Sequence, residues 1–335
     1  MAIEFSLIIP TYNRLSMLRQ CLHYLERLRY PRSLFEVIVV DDGSSDGTQD
    51  LTERDCQCQM KVLHQANSGT AVARNRGIEA ARGLFCLFVD DDVMVHPDLL
   101  LEHHRLHTAQ PNLVVRGPVI NFSAWPCPLE PNSPQSLALE ARPLSPWFGW
   151  WQRWSGQDPR LWIHYSRNYL CTSNASLYRH HLLAAGLFDP SFPRWEDAEL
   201  AVRLKRLGLK RQFSFQAIVY HFKPPEPWER RLSTAQKDGM SAASLYLRYP
   251  SFLTRLRSGL HWANEWRNKL LTAGPWAKCI ERAAQGNQSL IPSSLAQNLL
   301  LERAYLDAGY RELQRASQLP SQESPPDPTQ GVSHG

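Results

Sequence analysis

The sequence contains no apolar run of the ~20 residues that a membrane-spanning helix requires. Its longest charge-free stretch, Ala283 to Leu301, is interrupted by Gln, Asn, Ser and Pro292. CxxC pairs are missing as well. The cysteines number seven, at 21, 56, 58, 86, 127, 171 and 279, with a lone CxC at 56 and 58, which excludes the paired spacing of zinc ribbons and dithiol redox sites. Net charge is scarce: 37 Lys/Arg against 32 Asp/Glu leave +5, too little by itself to mark a nucleic-acid binder or a membrane-coating peptide. Neither GxxxxGK[ST] nor GxGxxG occurs, which removes phosphate-loop NTPases and dinucleotide dehydrogenases. No repeat of solenoid period is found. The start, MAIEFSLIIPTYNR, carries Glu4 early and Pro10, unlike a secretory signal peptide. Together with the unpaired cysteines it sets the expectation of a reducing compartment, by default the cytoplasm.

What is present is the balance of a folded protein: 335 residues, 43% apolar and 21% charged, with ample core to stand without disulfides or a structural metal. The first half alternates short β-rich runs with helical patterns, as a wound α/β sheet with mainly parallel strands does. Phe5 to Ile9, Glu36 to Val40, Lys61 to His64 and Leu84 to Val89 read as four strands. Leu15, Leu18, Leu22, Leu25 and Leu28 recur at helical spacing after the first. A second helix runs from Thr70 and ends at Gly83, in the usual stop position. Later, Arg179 opens a short helix and Trp195-Glu196-Asp197 open another through Leu207. Phe213 to Tyr220 reads as a further strand ending at His221.

Residues 123 to 159 are rich in Pro, Trp and Ser, and read as an ordered excursion over the active face. Trp147, Trp150, Trp151, Trp154, Trp162 and Trp195 either stack on a bound ligand or pack beneath that loop. These patterns divide the chain into an α/β domain over 1–225, a helical, basic extension over 226–318 and a disordered tail over 319–335. The extension holds ten Lys/Arg against four Asp/Glu from Trp228 to Arg282, so the remaining chain is nearly neutral. Its basic and aromatic residues suit either a solvated helical subdomain or peripheral contact with an anionic membrane surface.

Ligands of open α/β sheets collect at the carboxyl ends of the strands. Two acidic loops fall there: Asp41 to Thr48 after the second strand, and Asp90-Asp91-Asp92 after the fourth. Three adjacent carboxylates repel and need a compensating partner, of which a divalent cation is one. Oxygen ligands favour Mg or Mn over zinc. In extended chain Asp90 and Asp92 point one way and Asp91 the other. Each loop alone is equally compatible with a solvated turn.

The ordered set is far more specific: Pro10-Thr11-Tyr12-Asn13-Arg14, the Asp41 loop, Asn67-Ser68-Gly69 with Ala73-Arg74-Asn75 and Gly77, Asp90-x-Asp92, then Glu196-Asp197. Over roughly residues 3 to 225 the chain resembles the family 2 glycosyltransferases, inverting enzymes of the GT-A fold. That resemblance implies that Thr11 and Tyr12 contact the base, that Asp41 or Asp42 holds base or ribose, and that Arg74 lies against the nucleotide. It implies a DxD motif at Asp90 and Asp92 that carries Mn or Mg and meets the diphosphate, and Asp197 as catalytic base. Glu196 would orient the acceptor or the surroundings of Asp197. His221 resembles a histidine some relatives place near the metal, and also reads as a structural residue closing a strand.

The activity implied is transfer of a sugar from a nucleotide-diphosphate donor, UDP-sugar favoured, to a hydroxyl of a saccharide, lipid or small acceptor. Cell-surface polysaccharide or glycolipid synthesis is the expected process. Nucleic acid is not expected as a partner. Two alternatives stay open at this point. One is a sugar-1-phosphate nucleotidyltransferase, whose glycine-rich loop is replaced here by Pro10-Thr11-Tyr12-Asn13. The other is a non-catalytic sugar-nucleotide-binding protein.

Overall fold

The computed structural model describes residues 2–125, 127, 129, 169–272, 275–285 and 293–318. Most of the Trp-rich stretch, including Trp147, Trp150, Trp151, Trp154 and Trp162, and the tail over 319–335 lie outside the described residues. The chain divides into two compact units at Pro225.

The first unit begins with β1 (Phe5–Thr11), α1 (Leu15–Glu26), β2 (Phe35–Asp41), β3 (Gln59–His64), α2 (Thr70–Ala80) and β4 (Phe85–Phe88). It continues through β5 (Val93–Val95), α3 (Leu99–Ala109), β6 (Leu113–Arg116), β7 (Val119–Phe122), β8 (Ala175–Tyr178), α4 (Arg179–Ala184), α5 (Glu196–Arg206), β9 (Lys210–Phe213) and β10 (Val219–Phe222). A seven-stranded sheet runs β3-β2-β1-β4-β8-β6-β9, and a three-stranded sheet runs β5-β10-β7. The pairs joining β3, β2, β1 and β4 are parallel, and β8 lies antiparallel between β4 and β6.

Strands β1 and β2 are buried at every position, the signature of a sheet covered on both faces. Phe5, Leu7 and Ile9 point to one face and pack with Leu18, Leu22 and Leu25 of α1. Ile8 points to the other, with Ala73 and Ile78 of α2. The period-two strand and the i, i+4, i+7 stripe of α1 thus meet in one layer. Full burial of each such leucine stabilises the fold by ~2 kcal/mol.

Two element boundaries correct the sequence reading. The second helix ends at Ala80, and Ala81 is already extended. Gly83 serves a close approach instead: a Cβ there would lie 2.6 Å from the amide nitrogen of Ser6. The stretch 213–220 is not one strand but the end of β9 and the start of β10, which belong to different sheets. The partner of β9 ends at Arg116, so the chain leaves that sheet and pairs again only at Val219.

Between these strands Gly117 packs on Ala217, and a Cβ on Gly117 would sit 1.8 Å from the Ala217 carbonyl oxygen. Neither chain can retreat easily, because Asn174 donates to the carbonyls of both Pro118 and Ala217. Gly117→Ala is therefore expected to destabilise the protein by about 3 kcal/mol and to displace β10, which carries His221. A thermal melt unchanged to within about a degree would refute this.

The second unit is helical: α6 (Trp228–Arg248), α7 (Phe252–Arg257), α8 (Trp262–Thr272), α9 (Pro275–Ala284) and α10 (Ser293–Gln318). Small residues let α6 and α10 approach closely, since a Cβ on Gly239 would meet the Tyr305 carbonyl oxygen at 2.0 Å. Among the described residues no helix is long and apolar enough to cross a membrane.

Candidate active site

The carboxyl ends of β1, β2 and β4 bring the sequence motifs together. At the end of β1, Thr11 is buried while Tyr12 is 48% exposed. Asn13 adopts a left-handed φ of 51°, turning the chain so that its amide donates to Ser44 Oγ and its Oδ1 accepts from the Ser45 amide. Asp46 accepts from the Leu15 amide. The loops after β1 and β2 are thereby latched to each other.

Both acids closing β2 are buried. Asp41 Oδ1 accepts from the Ser44 amide, and Oδ2 lies 3.2 Å from Nδ1 of His64. Asp42 accepts from Gln65 Nε2 and from the Ser68 and Gly69 amides, each at 2.8 Å. It thus supplies a carboxylate to the start of α2, where the helix dipole favours negative charge.

The triple aspartate is answered residue by residue. Asp91 accepts from Thr11 Oγ1 at 2.8 Å and from Arg14 Nη1 at 3.0 Å, the same nitrogen that reaches Asp92. Burial nevertheless pushes its pKa up to about 6. Asp90 accepts from Arg74 Nη2 at 2.9 Å on one oxygen and from Ser173 Oγ on the other. Asp92 Oδ2 accepts from Arg14 at 2.7 Å.

Asp92 Oδ1 is different. It is buried and has no hydrogen-bond partner, although Nε2 of His221 lies 2.7 Å away. The two groups are in close contact, an ion pair only when the imidazole is protonated. Burial opposes ionisation of Asp92, but His221 and then Arg14 outweigh it and lower its pKa to about 2. Antiparallel pairing of β10 with β5 sets His221 opposite Val93, which is why a residue 129 positions away closes this pocket.

One oxygen each of Asp90 and Asp92 and one nitrogen of His221 lie within 4.8 Å of one another. An orphaned carboxylate oxygen in such a cluster fits a hard divalent cation, with Asp90, Asp92 and His221 as candidate ligands.

Arg74 joins this pocket to the start of α5. It is buried, and its Nη1 donates to Glu196 Oε1 at 2.5 Å while Nη2 holds Asp90. Burial would lower its pKa, but Asp90 and Glu196 raise it instead, so the guanidinium stays charged. Trp195 precedes α5 with a left-handed φ of 64°, a conformation bulky residues rarely adopt. Asp197 Oδ1 accepts from the Ala198 amide at 2.7 Å. Its side chain keeps a partial opening to solvent, although protein crowds it on most sides. Burial first, and then the Glu196 carboxylate, push the Asp197 pKa up to about 7, against the pull of Arg74 and the Ala198 amide.

Asp90, Asp92, His221, Arg74, Glu196 and Asp197 are thus linked in one constellation, with Tyr12, Asp41 and Asp42 on the adjoining strand ends. Thr11 spends its hydroxyl on Asp91, and Arg74 is committed to two carboxylates. Two residues escaped the sequence reading of roles. Arg14 was visible only as part of a motif, and Ser173 carried no signal at all.

The fold is the GT-A fold of glycosyltransferases. The sequence model of Glycosyl transferase family 2 matches residues 6–181, more than half the chain, and the chain belongs to that family. It is 30% identical over 226 residues to the validoxylamine A glucosyltransferase of Streptomyces hygroscopicus subsp. jinggangensis, covering 61% of this chain and 52% of that one. The matched stretches span 28% to 65% of the length of the first curated relatives. Among solved structures, the mannosyltransferase PcManGT from Pyrobaculum calidifontis, in complex with GDP-Man and Mn2+, superposes with a TM-score of 0.56 at 17% identity, covering 95% of this chain and 89% of that chain. Staphylococcus aureus TarS 1-349 in complex with UDP-GlcNAc gives 0.51 at 17% identity, covering 94% and 93%.

Proposed function

We propose that the protein transfers a sugar, with inversion, from a nucleotide-diphosphate donor to an acceptor hydroxyl, and that Asp197 is the general base. The observation that carries this is the arrangement around Arg74: the convergence of Asp90, Asp92 and His221 on one side and a carboxylate whose pKa is pushed up to about 7 on the other.

Tyr12, exposed at the end of β1, would stack on the base, with Thr11 lining the approach through its backbone. Asp41 or Asp42 would accept from base or ribose; each carboxylate oxygen can accept more than one hydrogen bond. Asp90, Asp92 and His221 would hold Mn or Mg, which when bound offsets the negative charge gathering on the leaving diphosphate. Arg74 holds Asp90 in place for that pocket, and Glu196 keeps Arg74 there.

On the opposite side Asp197 takes the acceptor hydroxyl proton as the oxygen attacks the anomeric carbon. The C1–O bond to the diphosphate breaks in the same displacement, so inversion needs no sugar-enzyme intermediate. A base with pKa near neutrality suits that task.

A UDP-sugar is the favoured donor. The acceptor is a saccharide, lipid or small-molecule hydroxyl, and the process we infer is cell-surface polysaccharide or glycolipid synthesis. Residues 1–225 form the transferase domain in this reading, and the basic helices over 226–318 meet the cytoplasmic face of a membrane peripherally.

A thermal-shift panel of UDP and GDP with and without Mn tests the donor site. At a ligand concentration of about 100 Kd the stabilisation should approach ~2.7 kcal/mol, and should shrink when Mn is withheld. Absence of any shift with every nucleoside diphosphate overturns the proposal. Hydrolysis of a panel of nucleotide sugars then identifies the donor.

A further inference from the structure

The helical second unit keeps its largest aromatic side chains in water. Phe252, Trp262 and Trp266 are 78%, 73% and 65% exposed, the highest values of any large apolar residue among those described. Trp262 and Trp266 stand one turn apart on α8 and share a face. They are not needed to complete the core. Leu260, Ile280, Ala283 and Ala296 are buried without them, and Tyr305 and Tyr310 tie the 258–261 turn to α10 through the Ser258 and His261 carbonyls.

The sequence around these rings is rich in positive charge. Between residues 248 and 282 the sequence places seven Lys/Arg against two Asp/Glu, an excess equal to the +5 of the whole chain. Both acids are already paired: Glu265 with Lys269 at 2.8 Å and Glu281 with Arg303 at 3.5 Å. Arg255, Lys278 and Arg282 are exposed.

Exposed indole and phenyl rings on a stretch rich in Lys and Arg match the chemistry of a bilayer surface, where amphipathic aromatics lie at headgroup level and Lys/Arg meet anionic lipid. We propose that Phe252, Trp262 and Trp266, with the basic residues flanking them, dock this unit peripherally on an anionic membrane. The proposal deepens the peripheral-contact part of the functional reading and rests on it. It does not depend on transfer chemistry.

Flotation of the full-length protein with vesicles tests it. Phosphatidylcholine vesicles containing phosphatidylglycerol should carry the protein upward and pure phosphatidylcholine vesicles should not. The binding should weaken as salt shortens the screening length. Trp262→Ser with Trp266→Ser should lower binding roughly tenfold, while Tm and the nucleotide-dependent thermal shift stay at wild-type values. A separate Lys278→Gln, Arg282→Gln variant should reduce the preference for anionic lipid.

Failure of the wild-type protein to float, or equal flotation of the tryptophan double variant, overturns the proposal. So does a dimer in sedimentation that the same double variant abolishes, which assigns the face to a second copy. Because vesicle binding and nucleotide-dependent stabilisation are measured separately, loss of one reading is distinguishable from loss of the other.

Discussion

Asp197→Asn should lower sugar transfer on the order of 10³-fold, the scale on which a positioned general base acts, and leave donor binding unchanged. The side chain is nearly isosteric and the amide oxygen still accepts from the Ala198 amide, so helix α5 should start as before. The sign of the pH dependence follows from the role. A base works only when ionised, and the pKa of Asp197 is pushed up to about 7 by burial and then by Glu196. In the free enzyme kcat/KM should therefore climb as pH rises through about 7 and level off above it. The Asn variant should lose that limb. Arg74 opposes the rise, so Arg74→Met should move the limb to higher pH. Release of nucleoside diphosphate in the presence of acceptor, followed from acid to alkaline pH, measures all three. An Asn variant with wild-type turnover removes Asp197 from the mechanism.

The second large effect concerns the triple aspartate, where neighbouring carboxylates should behave in opposite ways. Asp92→Asn places an amide where the orphaned oxygen stands and removes the charge opposite His221. We expect it to abolish the Mn-dependent part of nucleotide stabilisation and to reduce turnover by 10²-fold or more, on the order of a lost electrostatic clamp. Asp91→Asn should spare the Mn dependence. Its carboxylate faces Thr11 and Arg14, and burial already raises its pKa to about 6, so a neutral group is tolerated there better than at Asp92. Its cost should appear in the melt. Equal loss of Mn dependence in the two variants would contradict the division of labour.

That division illustrates what sequence reasoning reaches. Alternation in an extended chain would set Asp91 apart from Asp90 and Asp92, but Asp91 and Asp92 sit in a turn and share Arg14 Nη1. Repulsion among three carboxylates calls for a counter-charge, but the sequence could not say that Arg14 and Arg74 supply much of it. Arg14 precedes α1 and Arg74 lies within α2, 77 and 16 residues from the acids they hold. Ser173 was silent for a similar reason: a lone serine has no periodicity, and its bond to Asp90 exists only because β8 runs antiparallel to β4. The apparent single strand over 213–220 failed because apolar runs look alike whichever sheet they enter. Gly83 likewise offered a helix stop or a close contact, and packing against Ser6 decided it.

Local sequence by itself determined the wound α/β class, the strand ends at which acids gather, and the helix opened by Glu196-Asp197, because period, propensity and charge are properties of neighbouring residues. Only tertiary structure decided that β10 returns beside β5 to set His221 against Asp92, and that Arg74 spans Asp90 and Glu196. The His221–Asp92 and Arg74–Glu196 contacts join segments more than a hundred residues apart, and their energies depend on distance and burial, which come into being only when the sheet closes.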